Sequence, residues 1–527
     1  MARPPRTAPP LPPTPLPPTT GLPTVSAVLV VKDEEAVLRA CLEALAWADE
    51  VVVYDTGSSD GTLAIAHELA DRVVEGYWDD DFGAARNRAL AHATGEWVLS
   101  VDADEVFSGD PARVRRQLAR STAGLRTLML LDERGHVDGA DIALPRLFRR
   151  TAYRWVGALH ESPVPLPGSG TADVSQPLPG VGVRHSGYRQ DVLVSRDKVA
   201  RNVAISRAEL EDGLAAGVTG PRLAQLHVNL ARSLVLTGRH AEVLEHAGRA
   251  LDAGAAGYPL TVLAQAAIMA AAALPDEDAV DRWLDVWEGA TAQAAFPLRT
   301  RALVARRRDR PGTAVEVLER MPTVTVGDAG ARVDRRDLAD VAVWAYAALG
   351  RPRDAQRVAL EAVETGRVVG RPGELLAAVG ERTVATLVAR VPDEAWVRWA
   401  AACAADGSPG ARAFLAAMQA HRPTSGAVLQ AAAVLAPEMD LEEAVAWSAH
   451  LRRAGVPDGC PLVVLAADPG APVRDRALAG ALAWDVYRDE RALAALEGAL
   501  ALVAPGDAPA LAAELELVAP GLVSAGA

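Results

Sequence analysis

Between residues 25 and 104, apolar runs typical of strands alternate with segments of helical periodicity. The four strand-like runs are SAVLVV (26–31), EVVVYD (50–55), RVVEGYW (72–78) and EWVLSVDAD (96–104). This order, with its short connections, predicts a mostly parallel, doubly wound α/β sheet in a domain covering residues 25–195. In such sheets, ligands bind beyond the carboxyl ends of the strands.

After about residue 195 the strand pattern gives way to Ala-, Leu- and Arg-rich segments at helical spacing. Four of these segments are weakly similar, and their aligned positions Ala241, Ala279, Ala314 and Ala355 are 38, 35 and 41 residues apart. Such spacing predicts irregular tetratricopeptide-like (TPR-like) helix pairs over residues 196–405, with a plain helical bundle as the alternative. The segment DGSPG (406–410) predicts a break before a further helical region, 406–527.

Charge and cysteine content exclude some classes of protein. A chain of 527 residues is too long for one ordinary core and predicts several domains. Its formal charge of −14 argues against binding to a nucleic-acid backbone, although a nucleotide site needs only a few local groups. The three widely separated cysteines predict a reducing compartment and no cysteine zinc site.

The first 24 residues form a proline-rich segment, with ten prolines between Arg3 and Pro23. This composition predicts a disordered or polyproline II tail, and the lack of an apolar core in it argues against a signal peptide. The longest apolar run elsewhere, LAQAAIMAAAAL (263–274), is too short to span a bilayer. We therefore expect a cytoplasmic protein with no transmembrane segment, and peripheral contact with the inner membrane face stays open.

Acidic residues follow two of the predicted strands. Asp55 ends the second strand, and Asp102, Asp104 and Glu105 follow the fourth. Since packed sheets do not tolerate unpaired charge, these carboxylates need partners. Asp102 and Asp104, two residues apart on an extended segment, can share one Mg²⁺ or Mn²⁺ ion with a diphosphate. Asp55 suits a nucleobase imide or a ribose hydroxyl, with loop capping as the alternative.

The loops before the second and third helices contain further polar residues. Asp60 is placed to cap the second helix, and Asp80 or Asp81 to cap the third. Arg86 and Asn87 lie one turn into the third helix, where a guanidinium can reach a phosphate. A solvated helical face is the alternative for this pair.

Four motifs, taken in order, resemble family 2 glycosyltransferases of the GT-A fold. They are SAVLVVKDEE, VVVYDTGSSDGT, DFGAARNRALAHATGEWVLSVDADE, and PRLFRR followed by WVGALHE. The similarity is closest to the bacterial subgroup that joins this domain to TPR-like helices, and it covers roughly residues 25–190. The chain departs from that subgroup at Asp33, where Asn is common within a Lys-Asn-Glu-Glu motif.

The resemblance implies inverting transfer of a sugar from a nucleoside diphosphate donor, with a UDP-sugar expected from the family. By this resemblance Asp55 would hold the base, and Asp102 and Asp104 would bind Mn²⁺ or Mg²⁺ with the diphosphate. Four further residues would lie near the donor: Lys32, Glu34, Arg86 and Asn87.

The residue that deprotonates the acceptor is less determined by the sequence. His160 and Glu161 follow an aromatic and basic stretch, and we take Glu161 as the candidate base, with Asp104 and Glu105 as rivals. His185 is a candidate third metal ligand, although a lone histidine near a strand end commonly serves structure. Two more residues, Arg149 and Arg150, suit either a diphosphate or the surface.

Two other functions compete with a metal-dependent glycosyltransferase. In one, the helical half is a protein-binding scaffold and the first domain binds a nucleotide sugar without turning it over; the complete set of acidic residues favours the enzyme. In the other, the domain is a nucleotidyltransferase, but KDEE stands where a Gly-rich phosphate loop is expected. For the enzyme, helical repeats suit a peptide or protein acceptor or a protein partner, and a cell-envelope glycan is the alternative.

Overall fold

The computed structural model describes residues 21–131, 142–170, 175–185, 196–291, 294–326 and 332–522. The chain divides into two compact units, Met1–Thr300 with Val324–Asp334, and Arg301–Thr323 with Arg335–Ala527. This division falls inside the stretch predicted as one repeat region, and neither residue 195 nor residue 405 marks it. Most of the predicted tail, residues 1–20, lies outside the described residues.

The first unit contains one large sheet in its described part. Its eight strands have the order β3-β2-β1-β4-β7-β6-β10-β5. Four of the seven strand pairings are parallel, and three are antiparallel. These strands are β1 (Val25–Val31), β2 (Glu50–Asp55), β3 (Arg72–Glu75), β4 (Trp97–Ser100), β5 (Glu105–Gly109), β6 (Leu125–Leu131), β7 (Ile142–Arg149) and β10 (Ser175–His185).

Helices connect the parallel strands, as the alternating pattern predicts. They are α1 (Leu38–Ala44), α2 (Thr62–Leu69) and α3 (Phe82–Leu90), and α4 (Pro111–Ala119) follows β5. Asp81 caps α3 by accepting from Ala84 N at 2.7 Å, as expected. The first helix begins at Leu38, seven residues after β1 ends, and Asp33 in the connecting segment has a left-handed backbone (φ 54°).

Alternate residues of β1 enter two different cores, which is the signature of a sheet covered on both faces. Ala27 and Leu29 pack with Leu38 of α1 on one face. Val28 packs with Ala89 of α3 on the other face. The predicted α/β fold is therefore confirmed, and the buried strands explain why these segments read as continuous apolar runs.

The antiparallel part of the sheet follows β4 and was not predicted. Four strands, β5, β6, β7 and β10, extend the sheet beyond the four that the sequence indicates. A separate hairpin is formed by β8 (Tyr153–Val156) and β9 (Ser162–Pro165), and a second by β11 (Val324–Val326) and β12 (Arg332–Asp334). The turn of the β8–β9 hairpin carries His160 and Glu161.

The remainder of the described chain is almost entirely helical, which confirms the all-α prediction. In the first unit lie α5 (Arg196–Ala215), α6 (Gly220–Leu234), α7 (His240–Asp252), α8 (Gly257–Ala273) and α9 (Glu277–Ala290). Helix α10 (Ala295–Arg307) spans the boundary of the units. Single turns of 3-10 helix occur at Val235–Thr237, Arg335–Leu338, Ala436–Glu438 and Pro457–Gly459.

Thirteen helices are described in the second unit. They are α11 (Pro311–Arg320), α12 (Ala339–Ala348), α13 (Pro352–Glu364), α14 (Pro372–Val379), α15 (Glu381–Val388), α16 (Asp393–Asp406), α17 (Pro409–His421), α18 (Gly426–Val434), α19 (Leu441–Arg453), α20 (Pro461–Ala467), α21 (Val473–Tyr487), α22 (Glu490–Leu500) and α23 (Ala508–Val518).

Sequence-adjacent helices pack in pairs within each unit, including α6 with α7, α8 with α9, and α12 with α13. Three of the aligned alanines, Ala241, Ala279 and Ala355, lie near the start of the second helix of such a pair, and Ala314 lies near the start of α11, which packs with α12. Ala279, Ala314 and Ala355 are buried there, whereas Ala241 is exposed. Helix pairs therefore occur in the predicted region, and the regular repeat of residues 196–405 stays a prediction. No helix in the described ranges has both the length and the apolarity needed to cross a bilayer.

Candidate active site

The carboxyl ends of β2, β1 and β4 lie side by side and form one rim of the sheet. Asp55, the last residue of β2, is in register with Val31, the last residue of β1. On the other side of β1, Val101 N donates to Val28 O just after β4 ends, and Asp102 follows. Asp55 and Asp102 therefore lie at one rim of the sheet.

Asp55 is buried at this rim with half of its carboxylate unused. Its side chain accepts two backbone hydrogen bonds on Oδ1, from Gly57 N at 2.7 Å and Ser58 N at 2.8 Å. The residue is 1% exposed, and Oδ2 is buried with no hydrogen-bond partner among the described residues. Leaving a buried carboxylate oxygen unpaired is costly. Loop capping thus accounts for Oδ1 of Asp55, and Oδ2 can accept a hydrogen bond from an N–H or O–H group of a ligand.

The segment after β1 is tied to the loop after β2. Asp33 accepts from Ser59 N at 2.7 Å through Oδ1, and Asp33 N donates to Ser58 Oγ at 2.9 Å. The left-handed backbone at Asp33 is one that Asn and Asp adopt more readily than other side chains, so the Asn-to-Asp departure keeps this turn. Glu34 N donates to Thr62 Oγ1 at 2.7 Å.

Asp60 has the structural role that we expect for it. Its Oδ1 accepts from Thr62 N at 2.9 Å at the start of α2, and its Oδ2 accepts from Glu35 N at 3.1 Å. Both oxygens of Asp60 therefore bind backbone, in contrast to those of Asp55. Lys32 is exposed beside this linked pair of loops.

Asp102 lies between two arginines. Arg86 of α3 donates from Nη2 to Asp102 Oδ1 at 2.6 Å, and Arg146 of β7 donates from Nη2 to Asp102 Oδ2 at 2.5 Å. Burial alone would raise the pKa of Asp102, but the two guanidinium groups hold it well below its ordinary value. The two arginines therefore keep Asp102 ionised and hold it in place.

Glu105 binds the turn between β4 and β5 that carries Asp102. Its side chain is 1% exposed; Oε2 accepts from Asp102 N at 2.9 Å and Oε1 from Arg146 Nη2 at 3.0 Å. Burial raises the pKa of Glu105. Both oxygens of Glu105 bind this turn and its arginine, which is a structural role, and its part as a rival base stays an untested prediction.

Arg146 is the residue of this cluster that sequence reasoning missed. It lies within the PRLFRR motif, of which we considered only the following two arginines, as suited either to a diphosphate or to the surface. Arg149 instead donates to Glu96 Oε1 at 2.5 Å and covers the Trp97 ring at 4.7 Å. Arg150 donates from Nε to Gly95 O at 3.0 Å. A lone arginine inside the apolar run IALPRLF was the available signal, since it needs a buried acidic partner.

Glu161 joins the cluster through Arg86. Arg86 Nε donates to Glu161 Oε1 at 2.6 Å, and Arg86 Nη1 donates to Ser100 Oγ at 3.0 Å. The guanidinium also lies over the Trp155 ring, 5.0 Å from its centroid. One buried arginine thus connects the candidate base with Asp102. Arg86 is engaged by these protein groups, so a direct phosphate contact requires it to change partners.

The sequence of this region matches a known family. Residues 26–124 match the profile of the family described as Glycosyl transferase family 2. The chain carries a family 2 glycosyltransferase domain. The match includes Asp55, Arg86 and Asp102, and Arg146 and Glu161 lie beyond its end.

Curated relatives match about a third of this chain. A TPR repeat-containing protein of Synechococcus elongatus is 36% identical over 202 residues, covering 36% of this chain and 48% of that protein. The SPbeta prophage-derived glycosyltransferase SunS of Bacillus subtilis is 26% identical over 201 residues, covering 36% of this chain and 45% of that protein. The chain therefore spans about half the length of the curated relatives it matches.

A solved structure is also similar to this chain. It is the mannosyltransferase PcManGT of Pyrobaculum calidifontis, in complex with GDP-Man and Mn²⁺. The identity is 20%, the TM-score is 0.30, and the match covers 57% of this chain and 86% of that one.

Two of the predicted site residues face away from the rim of the glycosyltransferase domain. Asn87 uses both ends of its amide on Trp155, donating to Trp155 O and accepting from Trp155 N, each at 2.9 Å. His160 contacts Ser233 Oγ through Nε2 at 3.4 Å, and burial, with Arg232 adding to it, lowers its pKa to about 3. These contacts give both side chains structural roles. The expected donor contact of Asn87 and catalytic part of His160 are not supported by them.

His185 ends β10, where its backbone pairs with Glu105 of β5. Its side chain lies outside the described residues, so its part as a third metal ligand stays a prediction. Asp104 follows Asp102 in the turn before β5 and is half-buried.

The charges at this rim fit a divalent cation with few protein ligands. Burial raises the pKa of Glu34 to about 7, and the nearby charge of Asp104 adds to the rise. Within the described ranges, no three His, Cys, Asp or Glu side chains form a metal site on their own. Mg²⁺ and Mn²⁺ commonly take one or two carboxylates and complete their shell with phosphate and water. Asp102 and Asp104 are the two carboxylates at this place, and both oxygens of Asp102 also accept from arginines.

Proposed function

We propose that the glycosyltransferase domain transfers a sugar from a nucleoside diphosphate donor to an acceptor, with inversion at the anomeric carbon. The observation that carries this proposal is the buried, unpartnered Oδ2 of Asp55 at the carboxyl end of β2. An acceptor of this kind matches the imide N–H of uracil or guanine. The acidic and basic cluster two strands away then lies on the side of the diphosphate and the sugar.

Each residue of the rim has a distinct part in the proposed reaction. Asp55 fixes the base, and Asp104 holds a Mn²⁺ or Mg²⁺ ion together with the diphosphate. When bound, the ion neutralises charge that develops on the leaving diphosphate. Arg86 and Arg146 keep Asp102 ionised, so that the turn carrying Asp104 has one position.

Glu161 acts as the base of a single displacement. Arg86 holds Oε1 of Glu161 by a hydrogen bond. The acceptor hydroxyl oxygen attacks the anomeric carbon, and Glu161 Oε2 takes the proton of that hydroxyl. The bond from the sugar to the diphosphate breaks as the new bond forms on the opposite face of the sugar. A fixed base at this position lowers the barrier because its orientation is set before the reaction.

The acceptor is proposed to be a peptide or protein, since helix pairs suit extended chains. A cell-envelope glycan is the alternative acceptor. The same helices provide the surface for a protein partner, and we propose that the protein works in the cytoplasm or at the inner face of the membrane.

A screen of nucleotide sugars tests this function. Purified protein is incubated with UDP- and GDP-sugars and Mn²⁺, and release of the nucleoside diphosphate is followed, since water serves as a slow acceptor. We expect release with one donor class, strongly reduced in Asp104→Asn and unchanged in Asp110→Asn, whose side chain caps α4 at a distance from the rim. Release from no donor, or equal release with and without metal, would contradict the proposal. Binding of the donor without release would favour the scaffold function instead.

A further inference from the structure

The turn that carries Glu161 has an unusual backbone. It spans residues 157–161 between β8 and β9, with Gly157 at φ 112° and His160 at φ 56°. Positive φ is disfavoured for a side chain such as histidine, because its Cβ approaches the backbone carbonyl. Such a conformation persists only where the surroundings impose it, and it is concentrated at functional sites. The contacts that impose it here therefore matter to the position of Glu161.

Helix α3 holds three of the five residues of this turn. The hydrogen bonds run from Gly83 N to Gly157 O (3.2 Å), from Phe82 N to Ala158 O (2.8 Å), and from Arg86 Nε to Glu161 Oε1 (2.6 Å). All three come from the glycosyltransferase domain itself. None of these three hydrogen bonds reaches Leu159 or His160, in the middle of the turn.

Helix α6, outside the segment that matches the family, holds these two residues. Asn229 Nδ2 donates to Leu159 O at 3.1 Å, and Ser233 Oγ lies 3.4 Å from His160 Nε2. Asn229 is 3% exposed and Ser233 is 9% exposed. All four residues belong to the first compact unit. Buried polar groups placed in this way fix a single arrangement, because breaking one contact leaves its partner unsatisfied.

The two side chains of α6 are themselves oriented by neighbours. Gln225 Nε2 donates to Asn229 Oδ1 at 2.7 Å, which directs Asn229 Nδ2 to the turn. Ser233 Oγ donates to Asn229 O at 2.9 Å and also contacts Ser206 Oγ at 2.9 Å. Since Ser233 has one hydroxyl proton, Ser206 and His160 must both donate to it. The neutral His160 described above has the N–H that this requires.

We infer that Asn229 and Ser233 of α6 are positioning residues for Glu161, so that the first helices of the helical region complete the active site. The inference rests on the proposed function, in which Glu161 is the base. It assigns to α6 a part in turnover that is separate from acceptor binding. A displacement of about 1 Å at a reacting group can lower a rate on the order of 100-fold, so these contacts are close enough to matter.

Two substitutions test the inference, each with a matched control in the second unit. Asn229→Asp keeps the shape and removes the donor, and Ser233→Ala removes the hydroxyl, whereas Ser233→Thr keeps it. Gln419→Glu removes a buried amide that donates to Pro423 O at 2.7 Å, and Ser448→Ala removes a buried helical hydroxyl that accepts from Leu462 N at 3.1 Å. Manganese-dependent release of the nucleoside diphosphate is measured with the best donor of the screen.

We expect kcat to fall about 10- to 100-fold in Asn229→Asp and Ser233→Ala, while the KM for the donor stays within about twofold, because Asp55 is untouched. Ser233→Thr and both controls are expected to keep kcat within about twofold. Unchanged kcat in the two α6 variants, an equal loss in the controls, or a rise in KM in place of the fall in kcat overturns the inference. Wild-type protein that releases no nucleotide refutes the proposed function and the inference with it, so the two failures are distinguishable.

Discussion

Replacing Arg146 with methionine removes the guanidinium that joins Asp102 to Glu105. Arg146 Nη2 lies 2.5 Å from Asp102 Oδ2 and 3.0 Å from Glu105 Oε1, and its side chain is 13% exposed. Methionine keeps most of the apolar stem, so the change removes mainly charge and hydrogen bonds. We expect β5 and β7, which carry Glu105 and Arg146, to lose stability together with β4 and the turn after it, which carries Asp102.

The expected loss in the free energy of unfolding depends on which hydrogen-bond partners Asp102 and Glu105 retain after the substitution. Asp102 is 36% exposed and retains Arg86, so it contributes little to the cost. Glu105 is 1% exposed and retains only the hydrogen bond from Asp102 N among the contacts described here. Removing one partner of a buried ion pair costs about 3–5 kcal/mol, and the shared network places Arg146→Met near the lower end, ~3 kcal/mol.

Native-state hydrogen exchange of the β4 and β7 amides measures this loss locally, which avoids mixing the two units of the chain. Arg149→Met is the matched control, because its partner Glu96 is 47% exposed and such pairs are worth at most about 1 kcal/mol. Adding Glu105→Gln to Arg146→Met should recover part of the loss, since it removes the stranded charge. If Arg146→Met lowers the local free energy of unfolding no more than Arg149→Met does, the buried cluster does not stabilise the turn that carries Asp102.

Three further outcomes are expected. Glu161→Gln should leave nucleotide affinity unchanged and lower turnover about 100-fold or more, and unchanged turnover would remove it as the base. Chelation of divalent metal should abolish turnover, reversibly with Mn²⁺, without altering urea-induced unfolding; a large loss of stability would instead indicate a structural metal. Acid should destabilise α6 and α7, because burial and the facing His246 lower the pKa of His227 to about 4. Unfolded histidine takes up a proton below about pH 6.5, so the free energy of unfolding should fall from there to about pH 4 by on the order of 3 kcal/mol. His227→Gln should flatten this fall when unfolding is followed by circular dichroism.

The strands that position Asp55 and Asp102 could be predicted because they are buried on both faces. β1 and β2 read as continuous apolar runs, and their observed ends lie within one residue of the predicted ones. Strand β4 is shorter than predicted, because the chain leaves the sheet after Ser100 to form the turn that Glu105 supports. Local pattern therefore located the rim, and the acidic residues at strand ends indicated its chemistry.

The partners of the acidic residues could not be predicted in the same way. Arg146 meets Asp102 across 44 positions of sequence, and Arg86 meets Glu161 across 75. Such pairing depends on the antiparallel strands after β4, whose pattern is weaker than that of the parallel ones. For this reason the sequence indicated a cation near Asp102 but not the two arginines that bind its carboxylate in the structure.

The central claim is that a nucleotide binds at the rim through Asp55, and calorimetric titration with UDP and GDP tests it most directly. In Asp55→Asn the amide nitrogen would meet the base N–H, donor against donor, while Oδ1 still accepts from Gly57 and Ser58. The loss of a hydrogen bond to a charged group predicts about 10- to 100-fold weaker binding. Asp71→Asn, altered at the other end of β2 where Asp71 accepts from Val51 N, should bind as the wild type does. Failure of the wild type to bind either nucleotide, or equal binding by Asp55→Asn, would contradict the account.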